Sequence, residues 1–489
     1  MNATARILDW PVDASDEHPL ALWDAASLAR VLKGTTSAEF LISGVEIDSR
    51  DVQPGDLFFA LKGETMDGHR FVETALAKGA AAVVVDRPVN GPHIMVKDTM
   101  EALVRLGSAA RARTRGRIIG VTGSVGKTGV KESLFAALDR ASHGDAHRSV
   151  KSYNNHVGVP LSLARMPARA RFGVFEMGMN HADEIADLTR QVRPDVAVIT
   201  TIAPAHIEML GSEEAIADAK AEIFEGLEPG GVAVIPADSP HFERLKAAAD
   251  KLGVTTVSFG KSAHADVRLL DTVAAIGGGS LVTADMGDRR VCYTVAAPGE
   301  HWVINSLAVM AAVRAVGGDL GAAGVALAEM EGLAGRGARI EIDVPGDEPE
   351  AKALLIDESY NANPASMRAT LAQLGRTPAR RRIAVLGAMK ELGSFGSDFH
   401  AALAEPMREA GVDYAVLVGP EMSSLADELG KAEANALGKP LSFAHCASVQ
   451  EATGTLRAFG LERDDAILVK GSNSVGLAAL VSALSKREG

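Results

Sequence analysis

Residues 117–133 read RIIGVTGSVGKTGVKES. Ile118, Ile119 and Val121 form an apolar run that enters a glycine-rich turn, and helix-forming sequence leaves it from about Lys127. A strand, a glycine loop and a helix in that order make a phosphate cradle: backbone N–H groups turn inward and the helix N-terminus adds positive potential. Gly123, Ser124, Val125 and Gly126 are therefore expected to wrap a nucleotide phosphate, Lys127 to supply a full charge, and the Thr128 hydroxyl to hold Mg²⁺. The standard loop puts four residues between its first glycine and Gly-Lys-[Ser/Thr]. Here Gly123 precedes Gly126-Lys127-Thr128 by only two. A plain strand-to-helix turn with a surface lysine would also fit an isolated G-x-x-G-K-T; the apolar strand before it favours phosphate.

Outward from the loop, strand-like and helix-like segments alternate, which argues an α/β protein. Three blocks separate: 1–113, 114–332 and 333–489. The first carries short buried strands at 55–61 and 80–85 around a helix that Gly79 stops. The second is a central P-loop domain with a mostly parallel sheet. Its strands are RIIGVT, FGVFEM (172–177), DVAVITT (195–201) and GVAVIP (231–236), followed by a small antiparallel excursion near 265–297 and a helix over 301–317. The third, with ALLIDES, RRIAVLG, DYAVLVG and DAILVKG, reads as a Rossmann-like open sheet. The acidic stretch 343–352 reads as a surface turn.

Ligands of open α/β sheets bind beyond the carboxyl ends of the strands. Glu176 ends its apolar strand there, where a carboxylate could reach Mg²⁺. His206 follows another strand as a candidate metal ligand only, since Mg²⁺ prefers oxygen, and Lys220 lies on the next helix. KSYNNHVGVPLSL offers Asn154 and Asn155, either to satisfy a turn or to face a ligand. In the third block, Asp357, Glu358, Asn361 and Asn363 crowd one strand end, Lys470 ends another, and Arg336 and Arg339 lie at the join of the second and third blocks. So many polar groups exceed what a turn requires; Asn155, Asn361, Asn363 and Lys470 are expected to bind substrate.

The chain has 489 residues, 47% of them hydrophobic, enough for sizeable cores and too long for one ordinary domain. Its 50 basic and 63 acidic residues give a net charge of −13, which argues against a nucleic-acid binder. Cys292 and Cys446 lack metal-ligand spacing and suit a reducing cytoplasm. The first 20 residues lack signal-peptide character, and no apolar run is long enough for a membrane span.

With these residues in hand, the chain resembles the Mur ligases, the ATP-dependent amide ligases of peptidoglycan precursor synthesis, whose loop has the same short G-x-x-G-K-[T/S] spacing. YNNHVGVPLSL, FEMGMNHADEIADL, APAHIEMLGSEEAIADAKAEIF, GEHWVINSLAVMAA and LIDESYNANPASMRA look like successive signatures of one member, and GVEIDSRDVQPGDLFFALKGETMDGHRFV is similar to its uridine-nucleotide segment. The resemblance implies a small α/β UDP-binding domain, the ATP-binding P-loop domain and a closing ligase domain. The implied cofactors are ATP and Mg²⁺, and the implied substrates are UDP-N-acetylmuramoyl-tripeptide (UDP-MurNAc-tripeptide) and D-alanyl-D-alanine (D-Ala-D-Ala).

The resemblance also assigns roles. Lys127 and Thr128 bind phosphate and Mg²⁺; Glu176 and His206 are metal ligands; Lys220 matches a lysine whose carbamate approaches a second Mg²⁺. Lys127, Lys220 and His206 thus form the expected catalytic set. Asn305 meets the adenine or ribose, Arg336 (rather than Arg339) and Asp357 the nucleotide, and Asp48, Ser49, Arg50 and Lys62 the uridine diphosphate. Gly129 stands where many relatives have a hydroxyl residue, and Asp357-Glu358 replaces the commoner Asp-Asp. A cytoplasmic monomer is expected, because a closing enzyme needs free surfaces. The rivals are another Mur-type or folylpolyglutamate-type ligase, although the D-N-P-R run of the diaminopimelate-adding relative is absent, and a P-loop binding protein that makes no amide.

Overall fold

The structure is a computed structural model that describes residues 21–63, 66–205, 207–275, 279–344, 351–431, 438 and 441–485. His206, the N-terminal stretch 1–20 and most of the expected acidic turn lie outside the described residues. Two compact units result: Met1–Thr114 with Pro160–Ala168, and Arg115–Val159 with Arg169–Gly489.

In the first unit, β1 (Trp23–Asp24) and β3 (Leu41–Ile42) form an antiparallel pair. A five-stranded sheet runs β2-β7-β6-β5-β4, from β2 (Thr35–Thr36), β4 (Gly44–Glu46), β5 (Asp56–Phe59), β6 (Ala82–Val85) and β7 (His93–Met95). Leu57, Phe58, Phe59 and all of β6 are buried, as parallel strands covered on both faces require. The helix before β6 covers Val72–Ala77, and Gly79 turns the chain at φ +95°. Because β4 and β5 are parallel neighbours, the segments that follow them, with Asp48, Ser49 and Arg50 after β4 and Lys62 after β5, leave the sheet at one edge.

The second unit holds two sheets. The larger runs β16-β15-β14-β13-β12-β11-β8-β10-β9, from β8 (Arg117–Thr122), β9 (Ala146–Arg148), β10 (Phe172–Glu176), β11 (Val196–Ile199), β12 (Val232–Pro236), β13 (Thr255–Gly260), β14 (Val267–Ala274), β15 (Ser280–Asp285) and β16 (Arg290–Val295). β9 through β14 pair in parallel, and β14, β15 and β16 form the antiparallel excursion. That excursion is continuous with the main sheet, because β14 pairs with β13 at Phe259–Val267. β8 lies between β10 and β11, so its carboxyl end opens where the chain departs to either side, the place such sheets bind ligands.

The smaller sheet runs β17-β18-β22-β19-β20-β21, from β17 (Ala338–Asp343), β18 (Lys352–Glu358), β19 (Arg381–Gly387), β20 (Tyr414–Val418), β21 (Ser442–Cys446) and β22 (Asp465–Lys470). The sequence exposes β18, β19, β20 and β22 as apolar runs. It hides the edge strands β17, which is antiparallel, and β21, whose residues are half-exposed and carry no such run. Among the described residues no helix is long and apolar enough to cross a membrane.

Arg381 on β19 and Asp465 on β22 are register partners, joined bidentately at 2.8 and 2.6 Å, and the Asp465 side chain is fully buried. Asp465→Ala would remove the buried carboxylate and leave the half-buried guanidinium only the exposed Glu462 as a paired anion. We expect it to lower the unfolding free energy by about 3 kcal/mol in denaturant titration; a loss below about 1 kcal/mol would show that the pair does not hold this sheet.

Candidate nucleotide site

The helix after β8 begins at Lys127 with Gly126 as its cap, at φ +89°. Gly123 lies at φ +146°, and a Cβ there would fall 2.0 Å from Thr200 Oγ1. A Cβ on Gly126 would fall 2.7 Å from the Asn305 amide. Both glycines are thus required by backbone angle and by close approach. The loop is pinned to the segment after β11. Thr200 Oγ1 donates to the Val125 carbonyl at 2.5 Å, and Ser124 Oγ donates to the Ala203 carbonyl at 2.8 Å while accepting from its N–H at 3.0 Å. Ser124 therefore braces the loop with its side chain and also with its backbone, whose N–H donates to the Thr201 carbonyl at 2.7 Å.

Lys127 Nζ donates to the Gly123 carbonyl at 2.6 Å. Burial lowers its pKa, the nearby Arg336 lowers it further, and Glu176 opposes both. Thr128 Oγ1 donates to Glu176 Oε2 at 2.8 Å, and Asn154 Nδ2 donates to Glu176 Oε1 at 2.8 Å. Glu176 is 1% exposed, so both oxygens of a buried carboxylate have hydrogen-bond donors. Asn155, in contrast, is exposed, and its Oδ1 accepts from the N–H groups of Val157 and Gly158. Lys131, one turn beyond Lys127, is buried; its Nζ donates to the carbonyls of Ser149 and Lys151 at 3.0 and 2.7 Å and so fixes the segment that leads to Asn154. Lys220 is 2% exposed. Burial holds its pKa well below the lysine range, Lys127 lowers it further, and Glu222 opposes.

The second sheet contributes the ends of β18 and β22. Glu358 and Lys470 are register partners with Nζ 3.3 Å from Oε2, and Lys470 Nζ also donates to the Asn361 carbonyl at 2.9 Å. Burial lowers the Lys470 pKa against the pull of Glu358. Asn361 Oδ1 accepts from the Ala362 N–H, and Asn363 caps the helix Pro364–Arg376 in a capping box with Ser366. Asp357 accepts from Gly335 N–H at 2.8 Å and from Ser359, so it braces the turn that carries Arg336. Arg336 reaches Ser152 Oγ at 3.3 Å with its guanidinium 4.5 Å over Tyr360. Arg339 is exposed on β17.

One cavity of about 490 Å³ gathers Ser124, Val125, Gly126, Lys127, Asn154, Glu176, Asn305, Arg336, Glu358, Asn361, Asn363 and Lys470 along its wall. Gly123, Thr128, Asn155, Lys220 and Asp357 are outside that lining; Thr128 and Asp357 act on it through Glu176 and the Arg336 turn. Lys131, His301, Trp302 and Ser152 were not singled out from the sequence. A lysine four residues after Lys127, on the same helix face, was the available signal for Lys131. Among the described residues no group of three His, Cys, Asp or Glu could hold a metal ion. The oxygen donors of Thr128 and Glu176 do fit Mg²⁺, which takes one or two protein oxygens and completes its shell with phosphate and water.

A P-loop at a sheet switch point, a buried carboxylate beside it and cations from a second, mostly parallel sheet define a nucleotide-dependent enzyme of the P-loop class. The Mur ligase middle domain matches residues 121–313, the Mur ligase glutamate ligase domain 347–473 and the Mur ligase catalytic domain 41–115. The chain is 35% identical to the UDP-N-acetylmuramoyl-tripeptide–D-alanyl-D-alanine ligase of Synechocystis, covering 92% of this chain and 93% of that one. A crystal structure of MurF from Acinetobacter baumannii superposes with a TM-score of 0.80 at 29% identity, covering 96% of this chain and all of that one (100%). MurF from Thermotoga maritima, solved in complex with ADP, gives 0.71 at 26% identity, covering 91% and 97%. The chain belongs to the Mur ligase family.

The two candidate arginines separate in a binding titration. Arg336→Ala should weaken Mg²⁺-ADP binding by about tenfold or more in calorimetry, and Arg339→Ala should stay within about twofold; the reverse order would exchange their roles.

Proposed function

We infer that the chain is an ATP-dependent amide ligase that joins D-Ala-D-Ala to UDP-MurNAc-tripeptide in peptidoglycan precursor synthesis. The observation that carries the reaction class is the meeting of Lys127, Glu176, Arg336 and Lys470 around one cavity. The substrate pair rests on similarity, over nearly the whole chain, to relatives that bear this activity in their names.

The tripeptide carboxylate attacks the γ-phosphorus of ATP, the bond to the β,γ-bridging oxygen breaks, and ADP leaves. An acyl phosphate forms. The free amine of D-Ala-D-Ala attacks its carbonyl carbon and loses a proton; the C–O bond to phosphate breaks and an amide remains. Charge builds on the phosphoryl oxygens, so catalysis is mostly electrostatics and positioning. Lys127 faces the γ-phosphate, the loop backbone holds the β- and γ-phosphates, Asn305 the adenosine, and Arg336 the phosphates from the opposite wall. Lys470, Asn361 and Asn363 face the acyl and amine groups. Asp48, Ser49, Arg50 and Lys62 bind the uridine diphosphate, and Asn155 would meet substrate only outside the ATP cavity. Thr128 and Glu176 would hold Mg²⁺, with His206 as a further candidate ligand, and the ion supplies charge neutralisation at the phosphates. The acidic balance and the two cysteines support a cytoplasmic enzyme, and we take it to act as a monomer.

Lys220 is proposed to be carbamylated. Burial disfavours the charged form of Lys220, and the neutral amine is the form that adds CO₂: the Nζ–C bond forms, one proton leaves, and a carboxylate-like oxygen donor would replace a cation.

Phosphate release with ATP, UDP-MurNAc-tripeptide and D-Ala-D-Ala tests the function; turnover only with another UDP-peptide or a folate substrate would overturn it. Lys220→Ala should lose about 100-fold or more in kcat and recover part of it with short-chain carboxylic acids. Full activity without rescue would remove Lys220 from the mechanism.

A further inference from the structure

Gly129 has helical backbone without positive φ, so conformation does not explain it. Contact does. A Cβ built there would lie 2.9 Å from Cη2 of Trp302, closer than Cβ atoms approach, and 3.1 Å from its Cζ3, a tight contact. Trp302 lies in the first turn of the helix Glu300–Ala315 and is 7% exposed. Asn305, three residues on, meets Gly126, three residues before Gly129. Residues three apart share a helix face. The glycine that caps the P-loop helix and the glycine in its first turn therefore receive two side chains from one face of the second helix. The far edge of the indole, Nε1, lies 3.9 Å from where a Cβ on Gly337 would sit, beside the turn that carries Arg336. Gly126, Gly129, Trp302 and Arg336 all line the cavity.

We propose that Trp302 is a positioning residue that sets the P-loop helix against the Arg336 turn, and that position 129 is glycine because the indole fills the space of a side chain. A side chain at 129 must displace the indole, and with it the distance between Lys127 and Arg336 across the bound phosphates. The proposal rests on the nucleotide reading of the cavity and adds a residue to it.

The test is Mg²⁺-ADP titration, with KM for ATP and kcat, on the full chain carrying Gly129→Ser, Trp302→Ala, Arg336→Ala and the two double variants that include Trp302→Ala. Gly129→Ser alone should weaken ADP binding by about tenfold or more, and by less than about threefold where Trp302 is already alanine. Arg336→Ala should likewise cost at least about fivefold less in the Trp302→Ala background, with the change in KM and not in kcat. A merely structural tryptophan would lower stability without this coupling to Arg336. Additive penalties in both pairs overturn the proposal; if Gly129→Ser does not fold, the Arg336 pair alone decides it. Failure of the wild-type chain to bind ADP would overturn the nucleotide reading as well, whereas binding without coupling overturns only the role of Trp302.

Discussion

Glu176 is a carboxylate almost fully removed from water, and burial of such a charge is costly unless each oxygen finds a donor. Thr128 supplies one and Asn154 the other. β8 and β10 are parallel neighbours in register, Val121 opposite Glu176, so the helix that leaves β8 and the carboxylate that ends β10 are brought together by the ladder itself. Asn154 is fixed in turn by the segment that Lys131 holds through two carbonyls. If the Thr128–Glu176 contact were displaced, the P-loop helix, the carboxylate and the 149–154 segment would lose their common reference.

The second sheet answers from the opposite wall by the same geometry. Glu358 and Lys470 end adjacent parallel strands at one register position, and the turn from Leu333 to Gly337 is tied to Asp357 by side chain and backbone. Arg336 is consequently delivered by a braced turn. Cations on both walls, with protonation disfavoured by burial at Lys127 and Lys470 and only partly offset by Glu176 and Glu358, suit a cavity that would receive a polyanion.

Much of this was legible in the sequence, for a physical reason. Parallel strands buried on both faces must be apolar throughout, so RIIGVT, FGVFEM and DAILVKG announce themselves, and the polar residues that follow mark the sheet edge. Edge strands are half-solvated, and β17 and β21 left no comparable run. Choices between neighbours were also illegible. Asn154 and Asn155 differ only in which way a loop turns, and Asp357 and Glu358 lie on opposite faces of a strand by the pleat. Gly129 was unreadable alone, because its cause is an indole from a distant helix.

The reaction proposed for this cavity moves phosphate from ATP onto the carboxylate of a UDP-linked peptide before an amide forms. The most direct measurement uses UDP-MurNAc-tripeptide labelled with ¹⁸O in its terminal carboxylate, turned over with ATP and D-Ala-D-Ala, with mass analysis of the products. One labelled oxygen should appear in inorganic phosphate for each amide made, because the carboxylate oxygen that attacked phosphorus leaves with it. Amide formation with no label in phosphate would contradict an acyl phosphate and the account built on it.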